Sequence, residues 1–125
     1  MKDPARILVV DDTPANVKLL ADVLGSRGYA VSTAASGKEG LEKVAADAPD
    51  LVLLDVVMPE MSGYEVCKAI RADPATSRLP VVMVTALDSG QERVKGIEAG
   101  ADDFLTKPIN VKAFVEAVQE LLAKP

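Results

Sequence analysis

Residues 51–55 read Leu-Val-Leu-Leu-Asp, four large apolar side chains that end abruptly in a carboxylate. The run shows no alternation of polar and apolar residues, which is typical of a strand that is covered on both faces. Residues 6–10, 81–84 and 103–106 form similar runs, and each leads directly into Asp, Thr or Lys. If these runs are parallel strands, their polar ends share one edge of a single sheet, where ligands of open α/β sheets bind.

Strand-like and helix-like patterns alternate along the rest of the chain. Strands are predicted over residues 6–10, 29–34, 51–54, 80–84 and 102–106, with a helical pattern after each of them. Parallel strands that are joined by helices connect through right-handed crossovers, so helices should cover both faces of the sheet. The pattern therefore predicts an α/β domain with five strand–helix units.

Helix starts are indicated by capping residues. Thr13 before Pro14 fits an N-cap followed by proline at the first helical position. Ser36 and Glu39 have the spacing of a capping box. The third and fourth helices are predicted over residues 64–72 and 91–99.

Helical periodicity predicts which apolar side chains point inward. They are Val17, Leu20, Val23 and Leu24 in the first helix, Leu41, Val44 and Ala45 in the second, Val94 and Ile97 in the fourth, and Val111, Phe114, Val115, Val118, Leu121 and Leu122 in the last.

Length and composition fit one globular domain over residues 1–125. Hydrophobic residues make up 49% of the chain and charged residues 26%, as in ordinary folded domains. No apolar stretch is long enough to span a bilayer and the N-terminus lacks a signal-peptide pattern, so we expect a cytoplasmic protein without membrane insertion. The single cysteine, Cys67, has no partner for an internal disulfide.

Charge and histidine content exclude several functions. The net charge is −5 and no run of Lys or Arg occurs, so we expect no direct nucleic-acid binding. The chain has no histidine. This rules out histidine acid–base catalysis, most zinc sites and a role as a phosphohistidine carrier.

The carboxylates at the strand ends predict a metal site. Asp11, Asp12 and Asp55 would repel one another at close range unless a cation neutralised them. Oxygen ligands that leave room for water and phosphate favour Mg2+, or Mn2+ in its place.

The same edge has the groups that covalent phosphoryl transfer needs. Without histidine, or a serine in a sharp elbow turn, a carboxylate is the natural phosphoryl acceptor. Lys107 adds a positive charge and the Thr85 hydroxyl can donate to a phosphoryl oxygen. Each of these residues alone could be a cap or turn residue, and it is their joint occurrence at successive strand ends that favours a site.

Taken in order, these motifs resemble the receiver domain of two-component response regulators. The matching segments are Val9-Val10-Asp11-Asp12, Leu53-Leu54-Asp55-Val56-Val57-Met58-Pro59-Glu60-Met61-Ser62-Gly63, Val84-Thr85-Ala86 and Lys107-Pro108. The resemblance covers the chain from Ile7 to the last helix. It implies a flavodoxin-like, doubly wound five-stranded parallel sheet with strand order 2-1-3-4-5 and five helices.

The resemblance also implies a role for each site residue. Asp55 would be the phosphoacceptor, and Asp11, Asp12, Asp55 and the Val57 backbone carbonyl would hold Mg2+. Thr85 and Lys107 would bind the phosphoryl group. The Lys107–Pro108 peptide bond would be cis, at the modest cost of an X–Pro bond.

As a mechanism, the resemblance implies a signalling switch rather than a classical enzyme. A histidine kinase or a histidine phosphotransfer protein would donate the phosphoryl group, and the domain would catalyse its own phosphorylation and slow autodephosphorylation. Thr85 would then move toward the phosphate while Phe104 swings inward. The face of the fourth helix, fifth strand and fifth helix would change and control an output domain or downstream protein.

The chain shows two departures, one at Phe104 and the other at the two positions that flank the site. Phe104 stands where many relatives have tyrosine, which excludes any output contact through a hydroxyl at that position. Val57 and Leu87, two residues after Asp55 and Thr85, are apolar and would not position an attacking water, so we expect slow hydrolysis of the acyl phosphate. Residues 85–88 and 100–108 resemble receivers attached to diguanylate cyclases or hybrid kinases, so the domain could stand alone or come from such a parent.

The sequence leaves three alternative functions to compare with this one. An aspartyl-phosphate phosphatase would need an acid–base carboxylate two residues after the nucleophile, where this chain has Val57. A flavodoxin-like cofactor binder would need a Gly/Ser/Thr-rich phosphate loop after the first strand, where Asp11 and Asp12 stand instead. A pseudo-receiver that only binds partners would have no need of the full polar set.

Overall fold

The computed structural model describes residues 4–86, 90–107 and 110–123, in which five strands alternate with five helices. The strands are β1 (Arg6–Val10), β2 (Ala30–Ala34), β3 (Leu51–Asp55), β4 (Val81–Thr85) and β5 (Asp103–Thr106). The helices are α1 (Pro14–Ser26), α2 (Gly37–Asp47), α3 (Gly63–Ala72), α4 (Gly90–Ala99) and α5 (Val111–Ala123). The alternation that was inferred from the sequence is confirmed, with element ends within one residue or so of the predicted ones.

The strands form one parallel sheet in the order β2-β1-β3-β4-β5. This confirms the flavodoxin-like, doubly wound fold and its predicted strand order. The order reverses beside β1, so β1 and β3 lie next to each other with their carboxyl ends at the switch point. In the register, Val10 pairs with Leu54, which places Asp11 and Asp55 one residue further along adjacent strands.

Two apolar clusters pack against the opposite faces of the sheet. Because side chains alternate along a strand, successive residues of β1, β3 and β4 enter different clusters. One cluster joins Ile7, Val9, Leu51, Leu53, Val82 and Val84 to α1 and α5. The other joins Leu8, Val10, Val52, Leu54, Val81 and Met83 to α2, α3 and α4. The sheet is thus a rigid, buried platform that carries the strand ends.

The helix caps follow the sequence in part. The Ser36 side chain accepts the Glu39 backbone N–H, but the Glu39 carboxylate accepts the Ala35 N–H instead of closing a capping box. A complete capping box forms one helix later, between Ser62 and Glu65. Thr13 is the N-cap residue of α1 and Pro14 its first helical residue, as predicted, although the Thr13 side chain makes no capping hydrogen bond.

The apolar pattern predicts α5 well and α4 poorly. Phe114, Val115, Val118 and Leu121 are buried as expected, whereas Val111 is exposed. In α4, Val94 and Ile97 are 51% and 69% exposed, so the prediction that they point inward is wrong. The buried residues of α4, among those whose side chains the structure describes, are Gly96 and Ala99. Because both are small, α4 packs through its backbone rather than through large side chains.

Smaller differences concern α2 and the membrane. Ala45 is exposed rather than inward, since the adjacent Val44 takes the core position. None of the helices in the described parts of the chain is both long enough and apolar enough to cross a bilayer.

Candidate functional site

The carboxyl edge of the sheet brings the predicted polar residues together. Asp11 follows β1, Asp55 and Thr85 close β3 and β4, and Lys107 follows β5. Asp11 and Asp55 are 2% and 6% exposed, and Thr85 is fully buried. Lys107 extends its Nζ to 3.4 Å from Asp11 Oδ2 and 3.7 Å from Asp55 Oδ2. A cation from β5 thus lies between two buried carboxylates from the neighbouring pair β1 and β3.

The turn after β1 fixes the orientation of Asp11. The Asp11 N–H donates to the Ala34 carbonyl at 3.1 Å, which continues the ladder between β1 and β2. One carboxylate oxygen of Asp11 accepts the Thr13 N–H at 2.8 Å, and the other faces Lys107. Thr13 therefore serves the site through its backbone, a contact that its side-chain chemistry gave no reason to expect.

Asp11, Asp12 and Asp55 form an acidic cluster. Each offers a carboxylate oxygen, and these oxygens lie within 4.8 Å of one another. Asp12 is exposed at the mouth of the cluster, while Asp11 and Asp55 form its floor. Three carboxylate oxygens at this spacing suit a small, hard divalent cation such as Mg2+ or Mn2+. The donor set therefore fits the predicted metal.

The protonation of Asp55 reflects its surroundings. Burial, and then the adjacent Asp11 carboxylate, raise the pKa of Asp55 from 3.8 to about 6. The Lys107 ammonium and a hydrogen bond from the Val57 backbone N–H lower that pKa only in part. Asp55 is thus mostly ionised near pH 7, and its charge is poorly compensated by the protein alone.

The β3–α3 loop is packed closely under Asp55. Gly63 approaches the Asp55 backbone so tightly that a Cβ there would lie 2.3 Å from the Asp55 carbonyl oxygen. The Gly63 N–H also donates to the Val56 carbonyl at 2.9 Å. In this loop the Val57 side chain, two residues after Asp55, is 58% exposed. The mouth of the site is therefore apolar on this side, as the sequence indicated.

Thr85 and Phe104 occupy neighbouring strands. Thr85 pairs with Thr106 in the sheet register, and its carbonyl accepts the Lys107 N–H at 2.8 Å. Phe104 is buried on β5, and its ring lies against Gly96 of α4, where a Cβ would be 3.1 Å from the ring edge. The Arg93 guanidinium lies 5.2 Å from the ring centroid, a cation–π distance.

Some sequence predictions fall outside the described residues, and some contacts had no sequence signal. Pro108, with the cis Lys107–Pro108 bond, and Leu87 lie outside the parts of the chain that the structure describes. The contacts of Arg93 with Phe104 and of Tyr64 with Glu92 were missed. They join residues far apart in sequence, and no spacing rule connects such pairs.

Comparisons with known proteins show which family the chain resembles. Residues 7–119 match the family model of the response regulator receiver domain. The response regulator PleD of Caulobacter vibrioides is 54% identical over 106 residues, which are 85% of this chain and 23% of that protein. The response regulator MprA of Mycolicibacterium vanbaalenii is 46% identical over 121 residues, which are 97% of this chain and 48% of that protein.

A solved structure gives the same result in three dimensions. The crystal structure of a candidate response regulator from Chloroflexus aurantiacus superposes with a TM-score of 0.93 at 39% identity. It covers 97% of this chain and 99% of that one. By contrast, the chain spans under a quarter of PleD and about half of MprA, whose further activities concern those whole proteins. The match to the family model, the sequence identity to known response regulators and the shared fold show that the chain belongs to the receiver-domain family of two-component response regulators.

Proposed function

We propose that this receiver domain is a phosphorylation switch in which Asp55 accepts the phosphoryl group. The observation that carries the proposal is the position of the Asp55 carboxylate, buried beside Asp11 and 3.7 Å from the Lys107 ammonium. The donor would be the phosphohistidine of a histidine kinase or a histidine phosphotransfer protein, since the chain has no histidine of its own.

The transfer follows from the charges at the site. An Asp55 carboxylate oxygen attacks the phosphorus of the phosphoimidazole in line, a P–O bond forms, and the P–N bond breaks with its electron pair on the imidazole nitrogen. With its pKa near 6, Asp55 is mostly ionised at neutral pH and available as the nucleophile. Lys107 provides positive charge for the phosphoryl oxygens, and the Thr85 hydroxyl donates to one of them.

The acidic cluster supplies the metal site of the proposal. Asp11, Asp12 and Asp55, with the Val57 carbonyl, would hold Mg2+ or Mn2+. When bound, the metal neutralises charge on the carboxylates and on the transferred phosphoryl oxygens. Its binding is favoured because Lys107 alone leaves the pKa of Asp55 raised.

The output follows from changes around Thr85 and Phe104. Movement of Thr85 toward the phosphoryl group frees space that the Phe104 ring can enter, and the face of α4, β5 and α5 is remodelled for an output domain or downstream protein. The exposed, apolar Val57 beside Asp55 favours slow autodephosphorylation. In this proposal residues 1–125 act as one receiver unit in the cytoplasm, controlled by its own phosphorylation rather than by turnover of a substrate.

Intact-mass spectrometry tests the central step. With Mg2+ and the small acyl-phosphate donor acetyl phosphate, the wild-type domain should gain the mass of one phosphoryl group, and chelation of the metal should prevent the gain. Asp55→Asn keeps the shape of the site and removes the nucleophile, so it should gain no mass. A wild-type domain that stays unmodified, or an Asp55→Asn variant that is modified equally, would contradict the proposal.

A further inference from the structure

We propose that Tyr64 is a positioning residue of this switch, because its hydroxyl holds the first turn of α4 to α3 through Glu92. Arg71 fixes the other end of α4 to the same helix. On phosphorylation the Tyr64 contact opens and α4 pivots about the end that Arg71 holds. This inference rests on the proposed function. It adds a latch and a pivot for α4 to the face of α4, β5 and α5 that the proposed switch remodels.

Tyr64 is connected rigidly to the phosphoacceptor. It follows Gly63, whose backbone lies directly against the Asp55 carbonyl and is hydrogen-bonded to Val56. The loop from Asp55 to the start of α3 therefore has little freedom to absorb movement. A displacement at Asp55 is transmitted to the position of the Tyr64 ring.

The Tyr64 hydroxyl spans the space between α3 and α4. It donates a hydrogen bond to the Glu92 carboxylate and also lies 3.2 Å from the Glu92 backbone carbonyl. Burial, followed by the Glu92 carboxylate, raises the pKa of Tyr64 well above its usual range, so the hydroxyl remains a donor. Glu92 is kept close by an ion pair with Lys95 at 3.6 Å. A charged acceptor makes this contact stronger than a neutral hydrogen bond.

The described part of α4 contributes little apolar packing of its own. The buried residues in the described part of α4, Gly96 and Ala99, have almost no side chain to pack, and Val94 and Ile97 point to solvent. A helix without large buried side chains is held weakly by the hydrophobic effect. Polar contacts of its first turn, those of Glu92 with Tyr64 and of Arg93 with Phe104, therefore have a large share in fixing where the helix begins, and only the former reaches α3.

The far end of α4 is held differently. Arg71 donates to the carbonyls of Gly100 and Leu79 at 2.9 and 2.6 Å, and to the Asp102 carboxylate at 2.9 Å. Asp102 in turn accepts the Val81 N–H at 2.9 Å, which ties the cluster to the start of β4. Gly100 adopts a φ of +103°, and a Cβ there would collide with the Arg71 side chain.

Tyr64 and Arg71 thus form two tethers from one face of α3, since residues seven apart align after two helical turns. The Arg71 tether is a network of several bonds at the edge opposite the phosphoacceptor. The Tyr64 tether consists of one hydroxyl, and it holds a turn that begins five residues after Thr85. The weaker tether, next to the switch residue, is the one that opens.

The test compares Tyr64→Phe with Tyr29→Phe. Both remove one hydroxyl, but Tyr29 packs with the cluster on the other face of the sheet. We would titrate each variant with beryllium and fluoride at saturating Mg2+ and follow amide spectra, with Asp55→Asn to define the background. Tyr64→Phe should bind the beryllofluoride mimic roughly three- to tenfold more tightly, because the unswitched state loses a charge-assisted bond. Tyr29→Phe should match the wild type, and Mg2+ affinity should stay constant in both.

Hydrogen exchange without ligand gives a second readout. Tyr64→Phe should speed exchange of the amides in the first turn of α4 and leave the last turn and α5 unchanged. A double-mutant cycle with Glu92→Ala should show that the double variant shifts no further than either single one, and Glu92→Gln should restore part of the wild-type behaviour.

The outcomes separate the latch from the phosphorylation switch itself. If the amide spectra of the wild type do not change with beryllofluoride, both the proposed function and the latch are contradicted. If the wild type responds and Tyr64→Phe binds the mimic with unchanged or lower affinity, the latch alone is overturned. Uniformly faster exchange across α5 in Tyr64→Phe would also overturn it, because the residue would then be merely structural.

Discussion

The two edges of the sheet differ in how far their charges are compensated within the protein. At the amino edge, the Arg71 guanidinium meets the Asp102 carboxylate and two backbone carbonyls, so that charge and hydrogen bonds are matched within the protein. At the carboxyl edge, Asp11 and Asp55 share one ammonium, and the pKa of Asp55 is raised to about 6. The charges at the amino edge are compensated within the protein. Those at the carboxyl edge would be compensated by the cation and the phosphoryl group of the proposed function.

This difference would allow α4 to be attached at one end and to move at the other, as the proposed switch requires. α4 runs between the edges, with its last turn at the matched edge and its first turn beside the unmatched one. Stability that is concentrated at one edge leaves the other free to respond to ligands, as expected for regions that must change conformation.

The largest expected effect comes from breaking the matched edge. Arg71→Ala leaves the carbonyls of Leu79 and Gly100 without their side-chain donor and the Asp102 carboxylate without its ion-pair partner. We expect the free energy of unfolding to fall by about 2–4 kcal/mol, as for other losses from partly buried charged networks. Denaturant unfolding measures this change.

Two variants serve as controls for Arg71. Arg71→Lys keeps the charge but cannot reach three acceptors in a planar fan, so it should recover only a minor part of the loss. Arg78→Ala removes an exposed arginine from the same edge and should change stability by less than about 0.5 kcal/mol. Equal losses for Arg71→Ala and Arg78→Ala would show that the amino edge is not held by this network.

The sequence allowed much of the carboxyl edge to be predicted and little of the amino edge. Apolar runs that end in Asp11, Asp55 and Thr85 predict both the strands and the residues that meet at the carboxyl edge, because the carboxyl ends of parallel strands all lie on one side of the sheet. Arg71 and Asp102 meet only because α3 and β5 fold against each other, which no local pattern encodes.

The failed predictions in α4 have a related cause. Val94 and Ile97 follow helical spacing, but periodicity identifies an apolar stripe and not what covers it. The helix instead turns Gly96 and Ala99 toward Phe104 and the sheet. The contact of Tyr64 with Glu92 could not be read from the sequence either, since a tyrosine and a glutamate on different helices are both common surface residues.

An intermediate effect on stability is expected when the poorly compensated charge of Asp55 is removed from the carboxyl edge. The folded-state pKa of Asp55 lies above the unfolded value, so the folded protein binds the Asp55 proton more tightly than the unfolded chain does. This contribution to stability is present below pH 3.8 and is lost as pH rises toward about 6. Asp55→Asn cannot ionise, so in metal-free buffer at pH 7.5 it should be more stable than the wild type by about 1–2 kcal/mol.

The pH and metal dependence make this prediction specific. The advantage of Asp55→Asn should shrink between pH 6 and pH 4, and Mg2+ should reduce it at pH 7.5 by stabilising the wild type through binding. Urea unfolding with and without chelator provides both comparisons. An advantage that is independent of pH would mean that Asp55 is not a source of unfavourable charge.

The smallest expected effects come from relieving backbone strain at one residue near each edge. Ala48, at the end of α2 near the amino edge, and Glu60, in the loop after β3, have φ values of +47° and +69°. Glycine relieves this conformation but adds freedom to the unfolded chain, so Ala48→Gly and Glu60→Gly should each stabilise by about 0.5 kcal/mol. Only Glu60 lies in the loop that carries Asp55 to α3, so only Glu60→Gly should also change beryllofluoride affinity, by a factor of about two. A change of affinity in Ala48→Gly would show that the two edges are coupled more strongly than a fixed amino edge permits.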